Sequence, residues 1–446
     1  MQLSQQSSAD LAVFAQRRAR LMAMMGDSSL ALIPTSQVKI RNADADYAFR
    51  ADSSFFYLTG FAEPEAVAVL APSSDAPYQL FCRERDPAKE IWDGRRAGTQ
   101  GAVERFGADQ AYPIAELDTW LPKLMTGKKR LYVRLGQDPQ FDQQVSGWLK
   151  QVAVMQRHGG KVPFEIIQLD HLIDEMRLIK DETELMWMRQ AAQISAAAHV
   201  RAMQTVRVGM PEYALEAELL YVLQQHGCKT AYNSIVGGGQ NACILHYVEN
   251  NQPLRANDLV LIDAGAELNH YAADITRTFP VNGRFTAPQK ALYQVVLDAQ
   301  LAAIAMVRVG QHCKAYHEVA VRELTAGLLR LGLLQGELQD LIESGAYRRF
   351  YMHGTGHWLG LDVHDVGSYK DDAGEQWRPL QAGMVLTVEP GLYVAVDDDT
   401  VDPQWRGIGI RIEDDVLVTE GEPEVLTSAV PKTIAEIEQL MQGSIS

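Results

Sequence analysis

The chain has 446 residues, with 41 lysines and arginines against 57 aspartates and glutamates, for a net charge of −16. Such an acid excess argues against nucleic acid or an anionic membrane surface as the main partner, because both reward clustered positive charge. The length is too great for one ordinary domain and suits two, each with a sizeable core.

The first thirty residues carry Arg17-Arg-Ala-Arg20 in a helix-like stretch rather than a long apolar core before a cleavage site. No run approaches the ~18 apolar residues needed to span a bilayer. The four cysteines, Cys82, Cys228, Cys243 and Cys313, are scattered and form no CxxC pair, so neither a disulfide framework nor a thiolate zinc site is indicated. The expectation is a cytoplasmic protein in a reducing compartment.

In chain order, residues 9–25 read as a helix and 30–33 as a buried strand ending at Pro34. Short aromatic or aliphatic runs at 57–60, 65–71 and 78–82 alternate with turn signals. A strand-like piece follows at 131–134 and a helix-like one at 140–154. This is an α/β pattern without a metal-ligand constellation, and residues 1–174 are expected to form a non-catalytic domain. Trp92, beside Asp93, Arg95 and Arg96, is expected to be a partly buried surface residue.

A boundary near residues 178–180 precedes Asp181-Glu-Thr-Glu184, which resembles a helix N-cap with an acid at the third position. A long helix rich in Ala and Met runs from there toward Val206. The tetrapeptide Val206-Arg-Val-Gly209 recurs as Val307-Arg-Val-Gly310, each copy lying between two expected helices. An internal duplication within 175–446 is the economical reading. It predicts that each half adds strands after its helices.

The first half supplies the hairpin 259–279. A turn centred between Leu268 and Asn269 would set Asp263 opposite Asp274 on one face. Facing Cβ atoms in such a pair lie roughly 4.5–5.5 Å apart, so two carboxylates there call for a cation between them. The alternative is a shifted register or bulge that sends one aspartate to solvent. The second half supplies residues 384–389, ending in Glu389 and closed by Pro390-Gly391, and 407–413, where Arg411 and Glu413 share a face under the two-residue period. Solvated carboxylates and a surface salt bridge are the plain readings of these last two strands.

The stretch His353-Gly-Thr-Gly-His357-Trp-Leu-Gly-Leu-Asp-Val-His364 holds three of the chain's eleven histidines. Its glycines make a helix improbable, and Gly354 stands where HExxH needs glutamate, which excludes a zincin. Glycines beside imidazoles suit a loop whose backbone approaches a metal or ligand closely. His317, on an expected helix, is taken as a bystander. Asp263, Asp274, His357, Glu389 and Glu413 together offer four carboxylates and one imidazole. Hard oxygen ligands of this kind would balance two divalent cations and favour Mn²⁺, with Co²⁺ or Zn²⁺ as alternatives. The chemistry this suits is hydrolysis.

Those residues, with Val385-Leu-Thr-Val-Glu-Pro-Gly391 and Arg406-Gly-Ile-Gly-Ile-Arg-Ile-Glu-Asp-Asp415, resemble the pita-bread metallopeptidases, most closely their aminopeptidase P branch. The likeness extends to Arg41-Asn-Ala-Asp-Ala-Asp-Tyr47, residues 57–66 and Glu90-Ile-Trp-Asp-Gly-Arg-Arg96, and so covers nearly the whole chain. It implies an α/β fold, with an N-terminal domain of creatinase type followed by a duplicated pita-bread catalytic domain. It further implies an aminopeptidase that hydrolyses the N-terminal Xaa-Pro bond of peptides through a metal-bridging hydroxide. Asp274 and Glu413 would bridge the metals, Asp263 would bind one, and His357 and Glu389 the other. Glu389 would accept the proton, with His246, His353, His364 and Arg411 lining the substrate site. A homo-oligomer, tetramer or dimer, is expected, with neither nucleic acid nor membrane as partner. Asp93 departs from the pattern, which favours an apolar or aromatic residue there. A prolidase with the same ligands is the nearest alternative, and a metal-free, non-catalytic binding protein a distant one.

Overall fold

Runs of Leu, Ile, Val and aromatic residues in the first half pair edge to edge, because a sheet of β-branched and aromatic residues satisfies their backbone groups while burying both faces. The computed structural model describes residues 8–155, 161–371 and 373–443. The chain divides into two compact units, Met1–Met176 and Arg177–Ser446. In the first, six strands form one mixed sheet in the order Gln110–Pro113, Tyr78–Cys82, Val67–Leu70, Ser29–Pro34, Arg130–Val133, Glu165–Gln168. Leu30, Leu32, Val69, Phe81 and Leu131 are fully buried against Leu121, Trp148 and Val152 of the helices Leu117–Met125 and Pro139–Met155.

One run takes a form the sequence left open and one expectation for this unit is corrected. Residues 57–59 belong to the helix Ser53–Thr59. Asp52 caps it by accepting the Phe55 N–H at 2.9 Å, and that cap outweighs the strand preference of the aromatics. Trp92 lies on the helix Pro87–Asp93, which buries none of its residues, and is 86% exposed rather than partly buried.

The second unit opens with the helix Glu182–Thr205, whose capping box is made by Asp181 and Glu184. It packs on Glu212–Gln225, as Ala287–Ala305 packs on Ala315–Arg330. The duplication is visible in the backbone pairing. The Gly209 N–H donates to Leu254 O and the Leu254 N–H to Met210 O; likewise Gly310 donates to Leu380 O, and Leu380 to Gln311 O. Isolated bridges Pro211–Pro253 and His312–Pro379 extend the match.

Each repeat then builds one bent hairpin. In the first, Leu259–Asp263 pairs with Thr276–Pro280 in one sheet, and beyond the bend Ala266–Leu268 pairs with Tyr271–Ala272 in another. In the second, Val385–Val388 pairs with Asp414–Leu417, and Gly391–Val394 with Ile408–Arg411. The stretch 407–413 is therefore not one strand, and Gly391 opens a strand rather than closing one. The hairpin register also differs by two residues from expectation. Asn269 and His270 themselves form the turn, at φ +49° and +69°, as a two-residue type I′ loop requires. Asp263 therefore faces Thr276 instead of Asp274. A shift of two keeps every side chain on its face, so both aspartates still point the same way.

Gly265 sits at the bend, where an added Cβ would lie 1.6 Å from the Ala273 carbonyl oxygen. Backbone cannot yield as a side-chain tip can. Gly265→Ala should destabilise the protein by about 3 kcal/mol or more by this overpacking. Gly421→Ala, whose Cβ would meet nothing nearer than 3.9 Å, should change stability by under about 0.5 kcal/mol. Chemical denaturation of both variants tests this, and equal midpoints would contradict the geometry.

Candidate metal centre

The four carboxylates stand at the two bends. Asp263 ends its strand, Asp274 lies between Tyr271–Ala272 and Thr276–Pro280, Glu389 between Val385–Val388 and Gly391–Val394, and Glu413 between Ile408–Arg411 and Asp414–Leu417. A backbone leaving one sheet for another frees its side chains from the pleat, so acids from four strand ends can converge. The cavity they reach has a volume of about 480 Å³. Its wall includes Asp263, Asp274, His357, Glu389 and Glu413 together with His246, His353, His364 and Arg411, all nine residues singled out from the sequence.

Asp274, His357 and Glu413 each offer a ligand atom within 4.8 Å of the others. Atoms bound at 2.0–2.3 Å to a common ion stand up to roughly 4.6 Å apart, so the group fits a metal with little adjustment. His357 Nε2 lies 3.5 Å from Asp274 Oδ2 and 3.7 Å from Glu389 Oε1. Its Nδ1 is 3.0 Å from Trp358 O, the backbone contact that leaves Nε2 free to ligate. Arg411, 3% exposed, does not pair with Glu413. Its Nη2 donates to Asp263 Oδ2 at 2.6 Å and its Nη1 to the Tyr393 hydroxyl at 3.0 Å.

Gly354 and Gly356 both line the cavity, and Gly356 also answers to protein, since a Cβ there would lie 1.9 Å from Thr387 O. The loop thus lies directly on the strand that ends in Glu389. His364 stacks edge-on against His357, ring centroids 4.3 Å apart. His353 Nε2 is 2.8 Å from the Tyr393 hydroxyl. His317 is no bystander in position, since its Nδ1 meets Thr355 Oγ1 at 2.7 Å and Thr355 O accepts the Glu389 N–H at 2.8 Å. Sequence reasoning missed Tyr232, Ile235, Leu245, Val248 and Val363 in the cavity wall and Tyr393 behind it. Of these only Tyr232 had a local signal, being an aromatic just before the strand Ile235–Gly238 that pairs with Leu259–Asp263.

Charge is out of balance here. The Tyr232 hydroxyl contacts both Asp263 Oδ1, at 2.7 Å, and Asp274 Oδ1. It has one proton for two carboxylates. Burial, then repulsion from Asp274, raises the Asp263 carboxyl despite Arg411. Burial and the neighbouring acids push Glu413 well above the carboxylate range, and burial lifts Glu389 to about 7 despite His357 and Arg411. His357 goes up to about 9, because the hydrogen bond and charge of Asp274 outweigh burial. The same pairing outweighs burial to lower Asp274. A site that holds protons on its acids in this way is one that divalent cations would fill.

Stability should follow. Glu389 binds a proton in the folded state up to about pH 7 but in the unfolded chain only to about 4.5, so its contribution is complete below 4.5 and is lost as pH rises through 7. Glu413 and Asp263 are shifted the same way. His199 and His353, lowered to about 4 chiefly by burial, act the other way over this interval, so the readout is the gain from metal: the rise in melting temperature given by saturating divalent metal should be larger at about pH 7.5 than at about pH 5. A gain that shrinks over that interval would refute it.

Residues 186–420 match the family model of metallopeptidase family M24, and residues 14–132 that of the aminopeptidase P N-terminal domain. The chain is 46% identical over 430 residues to the Xaa-Pro aminopeptidase of Haemophilus influenzae, covering 96% of each. Among solved structures, a Pseudomonas aeruginosa aminopeptidase superposes with a TM-score of 0.96 at 52% identity, covering 98% of both chains. A glutamate-to-alanine variant of Escherichia coli aminopeptidase P in complex with substrate superposes at 0.94 with 44% identity, covering 98% of this chain and 99% of that one. The chain belongs to metallopeptidase family M24, as an Xaa-Pro aminopeptidase with the aminopeptidase P N-terminal domain.

Proposed function

We propose that the chain cleaves the first residue from peptides with proline second, with Asp263, Asp274, His357, Glu389 and Glu413 holding two divalent metal ions, Mn²⁺ before Co²⁺ or Zn²⁺. The observation that carries this is the convergence of four carboxylates and one imidazole on a single cavity. Bound there, divalent metal would supply Lewis acidity and lower the pKa of water. The other steps belong to the chain. Glu389, in the cavity wall beside His357, takes up the proton lost by the attacking water and returns it to the leaving proline nitrogen. Arg411 holds Asp263 in place from one side and the Tyr393 hydroxyl from the other. His246, His353 and His364 line the substrate space, with Ile235, Leu245, Val248 and Val363 as its apolar wall. Asp274 and Glu413 would be the ligands shared between the ions, a reading supported by ligand atoms that lie within 4.8 Å of each other and of His357.

The catalytic unit in this reading is 175–446, with 1–174 non-catalytic. The cytoplasm is the proposed location, supported by four free cysteines, three of them buried. Among the described residues no helix is long and apolar enough to cross a membrane. A homo-oligomer, tetramer or dimer, is proposed, supported by the exposed Ile91 and Trp92 side chains, 81% and 86% accessible, on a helix that buries nothing in its own unit.

Glu413→Gln and Asp274→Asn should each lower kcat by about three orders of magnitude or more, because ligands acting as a unit fail together. Losses under tenfold in both would misplace the site. On substrates, Ala-Pro-Ala should be cleaved with higher kcat/KM than Ala-Pro, and Ala-Ala-Ala left intact. An aminopeptidase must leave its cleft open beyond proline, whereas a dipeptidase needs a partner for the terminal carboxylate. Preference for Ala-Pro would make it a dipeptidase instead.

A further inference from the structure

We infer that Glu212, outside the cavity and remote from the proposed ligands, is a positioning residue: its buried carboxylate holds the loop carrying Leu245, His246 and Val248 in place against the substrate. The inference rests on reading the cavity as the substrate site.

Glu212 opens the helix Glu212–Gln225 and is wholly buried. A carboxylate taken out of water needs donors for its lone pairs, and here four neutral groups supply them. The Gly238 N–H, at 2.8 Å, and Asn241 Nδ2, at 3.0 Å, donate to Oε1. The Tyr247 hydroxyl and the Gln252 N–H, both at 2.8 Å, donate to Oε2. The four donors are spread over residues 238–252, so this one side chain grips both legs of the loop and its middle. One helical turn on, Glu216 Oε2 accepts from Asn250 Nδ2 at 3.0 Å. Asn250, at φ +45°, in turn binds the Val236 N–H and Ser234 O, each at 2.9 Å. The helix thus fastens the loop at two levels. Gly238 marks how close the grip is, since a Cβ there would lie 2.4 Å from Leu254 Cδ2 and 3.3 Å from Glu212 Oε1.

The fastened loop bears on the chemistry from two sides. Its entry strand pairs with the one that ends in Asp263, Ile235 opposite that aspartate. Its tip places Leu245, His246 and Val248 in the cavity wall, and Tyr247, held by Glu212, lies between His246 and Val248 in sequence. The tip residues Ile244, His246 and Val248 are exposed, so nothing packed on their far side fixes them. Restraint has to come from the base of the loop. Comparison of the repeats shows that the scaffold alone does not demand an acid here. The bridges Pro211–Pro253 and His312–Pro379 match position 212 with Cys313, a neutral thiol whose Sγ meets Tyr369 O at 3.1 Å. The carboxylate occurs in the repeat that carries the histidine loop.

Glu212→Gln keeps the size but turns an NH₂ toward two of the four donors. Steady-state kinetics on Ala-Pro-Ala at saturating metal should then show KM raised about tenfold, kcat within about threefold of wild type, and metal content unchanged. If Glu212 acts through His246, the double variant with His246→Ala should fall within about twofold of His246→Ala alone. Tyr247→Phe, which removes one donor of four, should raise KM about threefold. Multiplying penalties in the double variant, or a fall in kcat at constant KM, overturns the inference. Should Glu212→Gln not fold, Tyr247→Phe decides: wild-type KM overturns the inference and a raised KM at constant kcat supports it. If His246→Ala itself has wild-type kinetics, the substrate-site reading fails and the inference with it. If His246→Ala raises KM and Glu212→Gln does not, only the inference fails.

Discussion

Mutual repulsion of four carboxylates is the constraint on which the second unit depends. Two unit charges 4 Å apart repel by about 4 kcal/mol at an effective dielectric of ~20, and in this cavity repulsion adds to burial in pushing Asp263, Glu389 and Glu413 toward their protonated forms. What holds them together comes across the repeats. Arg411 of the second hairpin pairs with Asp263 of the first, while Thr276 of the first donates to Glu413 Oε2 at 2.6 Å. The Asp274 N–H donates to the Asp415 carboxylate, at 3.1 Å to Oδ2. Each repeat thus restrains the other's acids, and neither could form the site alone.

Behind the acids of the cavity lies a second charged layer. Arg277 and Asp414, both fully buried, pair at 2.7 Å. Arg277 also donates to the carbonyls of Glu413, Val430 and Pro431, and Asp414 receives Gln300 Nε2 and Lys432 Nζ. A buried ion pair adds little net stability against an apolar replacement, whereas removal of one partner is expensive. Its worth here is geometric. Arg277 follows Thr276 and Asp414 follows Glu413, so locking them fixes the backbone from which both site residues project.

The residues that line the cavity were legible because metal chemistry restricts residue types: few side chains can replace an aspartate or glutamate, and spaced acids at the ends of apolar strands stand out in the sequence. Helix ends were legible for a similar reason, as Asp181 and Glu184 show. The register of the hairpin was not. Choosing Asn269-His270 as the turn, rather than a centre one residue earlier, depends on both adopting positive φ, which polarity alone does not reveal. The end of the strand at Arg411, before the next begins in another sheet at Asp414, is set by partners far along the chain, as is the position of His317 behind Thr355. Glu212 illustrates the limit best. Its neighbours in sequence make an ordinary helix start, and its importance lies in four donors from 26 to 40 residues away.

Duplication explains both the symmetry of the scaffold and the asymmetry of the site. Asp263 lies nine residues after Leu254, and Glu389 nine after Leu380, the two leucines that make matching backbone pairs. The same scaffold position therefore presents a carboxylate in each repeat, one methylene longer in the second. That extra length lies on the side of the cavity where the loop 353–367 brings in His357, and Glu389 Oε1 reaches to 3.7 Å from its Nε2. Among the described residues the first repeat brings no imidazole within ligand distance of the acids; its loop bears His246 in the wall instead. Two equal copies would give two equal half-sites. The loop inserted in each copy breaks the equality, one setting an imidazole beside the acids and the other lining the wall of the cavity.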